Sequence, residues 1–245
     1  MNKQVRIAIV IPCYNEQDNV PDLYREILNT DFPPRYDVLP VFVNDCSTDR
    51  TREILKGLGA THINLPVNLG IGGAVQTGYK YAFRHGFDIA VQMDGDGQHP
   101  PGELSKIVDV LIDDLADVSI GSRFLTGEGF QSSYMRRVGI HFFRRLNRFL
   151  VGVTVNDSTS GYRALNRKAL EVVNEYYPDE YPEPEAIVLY TVHKLRIHEV
   201  QVNMRERQGG KSSIRAFKTI YYMMKVSLGT IFLYIRLKFN GKHLN

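Results

Sequence analysis

The chain has no tryptophan and only two cysteines among its 245 residues. Without Trp, anchoring in a membrane interface falls to Tyr and Phe, such as Tyr221, Tyr222, Phe232 and Tyr234. Two cysteines, Cys13 and Cys46, cannot make a disulfide scaffold. Each lies near the end of an expected strand, where a small apolar side chain fits, so both read as reduced thiols of a cytosolic protein. Charge of one sign is also missing: 30 Lys and Arg face 27 Asp and Glu, a net charge of +3, so only the distribution of charge can point to a partner. Met1 to Arg6 leads straight towards a strand, without a signal-peptide apolar core. The uncharged run between Lys225 and Arg236 is too short to cross a bilayer, which takes about 20 apolar residues. Internal repeats and low-complexity linkers are absent. Basic residues do not alternate with stacking aromatics, which argues against a nucleic-acid binder.

What is present is a globular composition, 43% hydrophobic and 23% charged, enough to bury a sizeable core. Ile7 to Ile11 is a continuous apolar run closed by Pro12, as in a strand buried on both faces. Asn15 to Leu28 reads as a helix that Asn15 can cap. Further strands are expected at Val38 to Val43, His62 to Leu65, Ile89 to Met93 and Val118 to Ile120. Helices are expected after Ser47 or Thr48, at Gly70 to Phe83 and at Pro101 to Leu111. This alternation implies an α/β fold, a mainly parallel sheet with helices on both faces.

Beyond residue 125 the character changes. Gly127 to Ser133 reads as a mobile loop. Tyr134 to Leu150 reads as a helix with Arg137, His141, Arg144, Arg145 and Arg148 on one face and Val138, Phe142, Leu146 and Phe149 on another. Pro178 to Pro184 reads as an acidic, Pro-rich loop, Val188 to Lys194 as a helix, Glu199 to Met204 as a late strand, and Arg205 to Ser213 as a basic loop. Ile220 to Phe239 is apolar but carries Lys225, Arg236 and Lys238. Such a helix lies in a membrane interface, or else packs on its own core or a dimer partner.

Val91-Gln92-Met93-Asp94-Gly95-Asp96-Gly97-Gln98-His99 carries the most information. An apolar strand runs into two carboxylates, at the end of the sheet where ligands of α/β proteins bind. Asp94, Asp96 and the Gln98 amide suit Mg²⁺ or Mn²⁺, which share their coordination shell with substrate phosphates. Alone, Asp-Gly-Asp is as readily an acidic turn. Other expected strand ends add Pro12-Cys13-Tyr14-Asn15-Glu16, Asn44-Asp45-Cys46-Ser47-Thr48-Asp49, Asn68-Leu69-Gly70-Ile71-Gly72-Gly73 and Gly121-Ser122-Arg123, and the set in this order is specific where each part is weak.

On these motifs the sequence resembles the family 2 glycosyltransferases of GT-A (Rossmann-like) fold, over about residues 5 to 215. Within them it is most similar to the polyprenyl-phosphate branch, which includes dolichyl-phosphate mannose synthase and bacterial undecaprenyl-phosphate glycosyltransferases. Asp94-Gly95-Asp96-Gly97-Gln98-His99, Gly121-Ser122-Arg123, Thr159-Ser160-Gly161-Tyr162-Arg163-Ala164 and Arg207-Gln208-Gly209-Gly210-Lys211-Ser212 carry that likeness. Asp157-Ser158-Thr159-Ser160-Gly161 departs slightly from the usual spacing. The resemblance implies a catalytic domain over 1–215 and a C-terminal amphipathic, membrane-interface segment over 216–245, where most relatives have transmembrane helices.

The resemblance also assigns roles. Pro12, Tyr14 and Glu16 would line the nucleoside pocket, with Asp45 reading base or ribose and Gly70 and Gly73 letting backbone approach the nucleotide. Asp94 would hold ribose or metal, and Asp96 and Gln98 the metal. Arg123, Arg137, Arg163 and Lys211 would bind the acceptor phosphate. Asp96, Arg123 and Glu185 would be the catalytic set, with Glu183 or Glu185 near the acceptor. The implied activity is an inverting, metal-dependent transfer of a hexose from a nucleotide sugar, a UDP-sugar, to undecaprenyl or another polyprenyl phosphate, for cell-surface polysaccharide synthesis. The enzyme would work peripherally on the inner face of the cell membrane. It leaves room for a small membrane-protein partner and for a homo-oligomer. The alternatives are a transferase acting on a glycan or small-molecule hydroxyl, which needs a true base, and a non-catalytic nucleotide-sugar-binding scaffold.

Overall fold

The computed structural model describes residues 4–126, 134–179, 181–205 and 216–240, with backbone alone at 134–138, 216–222 and 240. The loops expected at Gly127 to Ser133 and from residue 206 to Ser213 lie outside the described residues, as do the side chains of Arg137, Val138, Tyr221 and Tyr222.

The apolar run of the first strand, β1 (Val5–Cys13), explains the layering. Ile7, Ile9 and Ile11 enter one core, with Phe42, Leu23, Ile27 and Ile107. Ala8 and Val10 enter the other, with Val41, Val75, Tyr79 and Leu189. A strand buried on both faces has no polar side, which is why it reads as continuous apolar sequence.

The order continues α1 (Val20–Asn29), β2 (Tyr36–Asn44), α2 (Thr51–Gly57), β3 (His62–Asn64), α3 (Gly70–Arg84) and β4 (Ile89–Gln92). A 3₁₀ turn (Pro101–Glu103), α4 (Leu104–Ile112), β5 (Val118–Ser122), α5 (Tyr134–Val151), β6 (Arg163–Asn166) and α6 (Arg167–Glu175) follow. The described chain closes with α7 (Pro182–Val192), β7 (Ile197–Gln201) and α8 (Ala216–Asn240). Among the described residues the strands form one sheet in the order β3-β2-β1-β4-β6-β5-β7. β6 runs antiparallel to both β4 and β5, and all other pairs are parallel. α1 and α4 cover one face; α3, α6 and α7 cover the other.

Several local expectations are corrected. α1 starts at Val20, after Asn19, and not at Asn15. Asn15 is left-handed instead, at φ +57°, and its Oδ1 accepts from the N–H groups of Thr48 and Asp49 at 2.8 and 3.3 Å. A side chain expected to start a helix thus ties the loop after β1 to the loop after β2, a known alternative for Asn. The end of the Pro-rich stretch, Pro182 to Pro184, is the first turn of α7, where proline loses no helical hydrogen bond. On α5 the buried stripe is Ile140, Phe143 and Asn147, whereas Phe142 and Phe149 of the expected apolar face are 39% and 86% exposed.

α8 packs on α7 and α5. Val226, Thr230 and Leu233 are buried, while Met224, Leu228, Phe232, Ile235 and Phe239 are exposed. No helix among the described residues is long and apolar enough to cross a membrane. Both cysteines are unbridged, and burial pushes the Cys13 thiol well up.

Candidate active site

The carboxyl ends of β1, β2, β4 and β5 point to one edge, and their following loops interlock. Asp45 donates its N–H to Cys13 O at 2.9 Å. Glu16 donates its N–H to Thr51 Oγ1 at 2.9 Å, and its Oε2 accepts from Asn19 Nδ2. Gly95 lies so close to β1 that a Cβ there would stand 3.0 Å from Pro12 O and 3.2 Å from Cys13 Sγ. Pro12 is buried, Tyr14 is exposed and Glu16 is half-buried beside Gly95.

Asp94 and Asp96 therefore stand together where the sequence places them. The Asp94 N–H donates to His99 Nδ1 at 3.0 Å, and the His99 ring stacks on Tyr162 at 4.8 Å. Gln92 Nε2 approaches Asp94 Oδ1 at 3.4 Å. Asp96 is buried, and its Oδ1 accepts from the Gln98 N–H at 3.0 Å. The Gln98 side-chain amide donates to Arg205 O at 3.4 Å. A Cβ at Gly161 would meet Gln92 Nε2 at 2.9 Å and the two Asp94 oxygens at 3.0 and 3.2 Å, so only glycine leaves that carboxylate in place. Among the described residues no group of three or more His, Cys, Asp or Glu gathers as a full metal cage. Two carboxylates with an amide oxygen fit a hard cation that completes its shell with phosphate and water.

The nucleoside side differs from expectation. The Asp45 carboxylate accepts from the N–H groups of Leu69 and Gly70 at 2.7 and 3.0 Å. It therefore closes the start of α3 that was assigned to the nucleotide, favoured there by the helix dipole. The glycines serve the fold. Gly70 has φ +76°, and a Cβ on Gly72 would lie 2.1 Å from Pro178 O. Gly73 packs on Leu69.

The expected phosphate ligands separate. Arg123 is nearly buried and grips Asp157 in a fork, Nε to Oδ2 and Nη2 to Oδ1, both at 2.7 Å. Arg163 is not on an acceptor-facing surface. It is fully buried and donates to the carbonyls of Ser160 and Ser158 at 2.8 and 3.1 Å, among Tyr79, Tyr177 and Tyr190. The side chains of Arg137 and Lys211 lie outside the described residues.

The two acids of α7 also part. Residues two apart on a helix face different ways. Glu185 turns to α8, where a Cβ on Gly229 would stand 2.8 Å from its Oε1. Glu183 turns inward to Gln92, Arg163 and Asp94; burial pushes its carboxyl up, the Asp94 charge adds to this and Arg163 opposes it. Of the two acids, Glu183 lies towards Asp94 and Glu185 towards α8. Sequence reasoning gave no role to Gln92, His99, Asp157 or Glu199. The first three were visible within motifs, whereas Glu199 needs the pairing of β7 with β5 to be found.

The profile of glycosyl transferase family 2 matches residues 8–173. A UDP-N-acetylglucosamine–dolichyl-phosphate N-acetylglucosaminyltransferase of Methanococcus voltae is 29% identical over 249 residues, covering 92% of this chain and 97% of its own length. A dolichyl-phosphate hexose transferase of Haloferax volcanii is 33% identical, covering 83% of this chain and 84% of its own. The crystal structure of glucosyl-3-phosphoglycerate synthase from Mycobacterium tuberculosis, in complex with Mn²⁺, UDP and glucosyl-3-phosphoglycerate, superposes with a TM-score of 0.68 at 18% identity, over 95% of this chain and 80% of that one. At that identity the likeness speaks for the fold, and it places the sheet in the GT-A class.

Proposed function

Because the chain belongs to glycosyl transferase family 2, we propose that this glycosyltransferase moves a hexose from a UDP-sugar to a polyprenyl phosphate at a membrane surface. The observation that carries this reading is that acidic and basic groups follow strands ending at the same edge of the sheet. Asp94 and Asp96 follow β4, Arg123 follows β5, and the stretch 157–161 touches both. The M. voltae relative is named for a UDP-sugar donor, and both relatives for a dolichyl-phosphate acceptor.

Asp94, Asp96 and Gln98 would hold Mg²⁺ or Mn²⁺. Bound there, the ion supplies charge neutralisation for the leaving diphosphate. Arg123 places an anionic acceptor opposite the acids. A phosphate is already ionised near neutral pH, so it needs positioning more than deprotonation. One of its oxygens attacks the anomeric carbon in line. The new C–O bond forms as the bond to the diphosphate breaks, its electron pair leaves on the diphosphate oxygen, and the configuration inverts. The exposed Phe142, Phe149, Leu228 and Phe232, with Arg145, Arg148 and Arg236 nearby in sequence, suit peripheral binding to the anionic inner face of the cell membrane.

The test is incubation with Mg²⁺ or Mn²⁺, a panel of UDP- and GDP-sugars and undecaprenyl phosphate, with product identified by mass. A metal-dependent glycolipid is expected, falling by roughly 10²-fold or more in Asp96→Ala. Glycosylation of soluble hydroxyl acceptors with no glycolipid from any donor would reject the reading.

One observation favours a second reading, a hydroxyl acceptor: Glu183 faces the Asp94 end of the site. A general base there would contribute roughly 10²–10⁴-fold. Glu183→Gln decides between the two. A loss of that size in kcat assigns a base, whereas a change mainly in KM for the donor fits recognition of sugar hydroxyls.

A further inference from the structure

The segment between α5 and β6 holds two parts of the site at once. At its start, Asp157 accepts from Arg123 Nε and Nη2, both at 2.7 Å, and from the Arg123 N–H at 3.1 Å. Ser160 Oγ donates to Gly121 O at 2.6 Å, pinning the middle to β5. At its end, Gly161 lies against the Asp94 carboxylate. A shift of this segment would therefore move Arg123 relative to Asp94.

What holds its start comes from another strand. Glu199 on β7 stands beside Ile120 of β5 in the parallel register. Its Oε2 accepts from the Asn156 N–H at 2.7 Å and from Asn156 Nδ2 at 2.9 Å, and its Oε1 accepts from the Asp157 N–H at 2.9 Å. Asn156 Oδ1 accepts in turn from Arg144 Nη1 of α5 at 3.2 Å. Three charge-assisted bonds onto two consecutive residues make a stiff anchor. β7 is an edge strand, and its ladder with β5 does not require this side chain to reach across to the loop.

We propose that Glu199 is a positioning residue. Through Asn156 and Asp157 it sets the plane and depth of the Arg123 guanidinium on the basic side of the site, and it links that group to the basic helix α5. The inference rests on the reading of Arg123 as the group that receives an anionic acceptor.

The test uses the full chain and two variants, Glu199→Gln and Asn156→Asp. The second sets a like charge against Glu199 at a half-exposed position, so it answers if the first fails to fold. The first readout is the Arg123 Nε–H resonance, identified by its loss in Arg123→Lys. It is expected to be protected from exchange in the parent protein and exchange-broadened in both variants. The second readout is kinetic: KM for undecaprenyl phosphate should rise about tenfold or more, while the donor Kd stays within about twofold. An unchanged Arg123 signal in a folded variant overturns the proposal, as does a joint rise of acceptor KM and donor Kd. If the parent enzyme does not use polyprenyl phosphate, the functional reading fails while the Arg123 signal still decides the positioning.

Discussion

At the end of β4 the geometry depends on atoms that are not there. Gly161 has no Cβ, and the Asp94 carboxylate lies where that Cβ would press, with its oxygens at 3.0 and 3.2 Å from the ideal position. Gly161→Ala makes Gln92 and Asp94 give way by a few tenths of an ångström and should therefore lower kcat/KM by roughly tenfold, less than the roughly 10²-fold expected of a displacement of about 1 Å. The cost in stability should stay at about 1–3 kcal/mol. Steady-state kinetics beside a thermal melt separate the two; equal losses in both would show that the glycine serves only the fold. The placement of Asp94, Asp96 and Gln98 just after β4 was legible because an apolar strand ending in acids is a local pattern. The difference between Glu183 and Glu185 was not legible, since both sit in one short acidic run and only the helix phase of α7 turns one to Asp94 and the other to Gly229.

At the scale of elements, Asp117 joins four pieces of the fold. It accepts from the Arg196 N–H before β7 at 2.8 Å, from Asn166 at the end of β6 at 3.1 Å and from Lys168 of α6 at 3.1 Å, and stands just before β5. Burial alone would raise its carboxyl. The hydrogen bonds from Arg196, Asn166 and Lys168 outweigh that, and it is held well below the ordinary 3.8. A depressed folded value means the stabilisation is fully present above the ordinary value. It is lost as the pH falls through that value towards the folded one. Asp117→Asn should thus destabilise the protein at neutral pH by about 1–3 kcal/mol and flatten the decline of its melting temperature below pH about 4. A variant that keeps the parent's acid slope would show that another carboxylate sets it. β6, Arg163–Asn166, was missed in sequence because it has no apolar run: it opens on a buried arginine, ends on an asparagine and runs against its neighbours. The Gly-rich start of α3 was legible as a glycine cluster, but its contacts were not: Gly72 admits the backbone of Pro178 and Asp179, and the Asp45 carboxylate accepts from the Leu69 and Gly70 N–H groups.

Over the whole molecule, α5 and α8 form an outer layer against α7, and the apolar side chains they leave exposed belong to both helices. Phe142, Met223, Met224, Ser227 and Leu228 line a groove of about 410 Å³ between them. The protein should bind vesicles containing anionic lipid and release them as salt rises, because screening shortens to about 8 Å at physiological ionic strength. Replacing Leu228 and Phe232 together by Asp removes about 1.5–3 kcal/mol of burial per side chain. That should weaken co-sedimentation by at least about tenfold while the melt of this surface variant stays near the parent's. Unchanged sedimentation would locate the membrane contact elsewhere. The sequence by itself determined the parallel α/β layering, because strands buried on both faces must be continuously apolar, and the acidic pair, because it follows such a strand directly. Only the tertiary structure decided which charges meet. Arg123 with Asp157, the Asp157 N–H with Glu199, Asp45 with the start of α3 and Arg163 inside the core are contacts between residues 25 to 42 positions apart or among side chains whose burial depends on neighbouring helices. Strand order and register set those distances, and no local pattern in the chain encodes them.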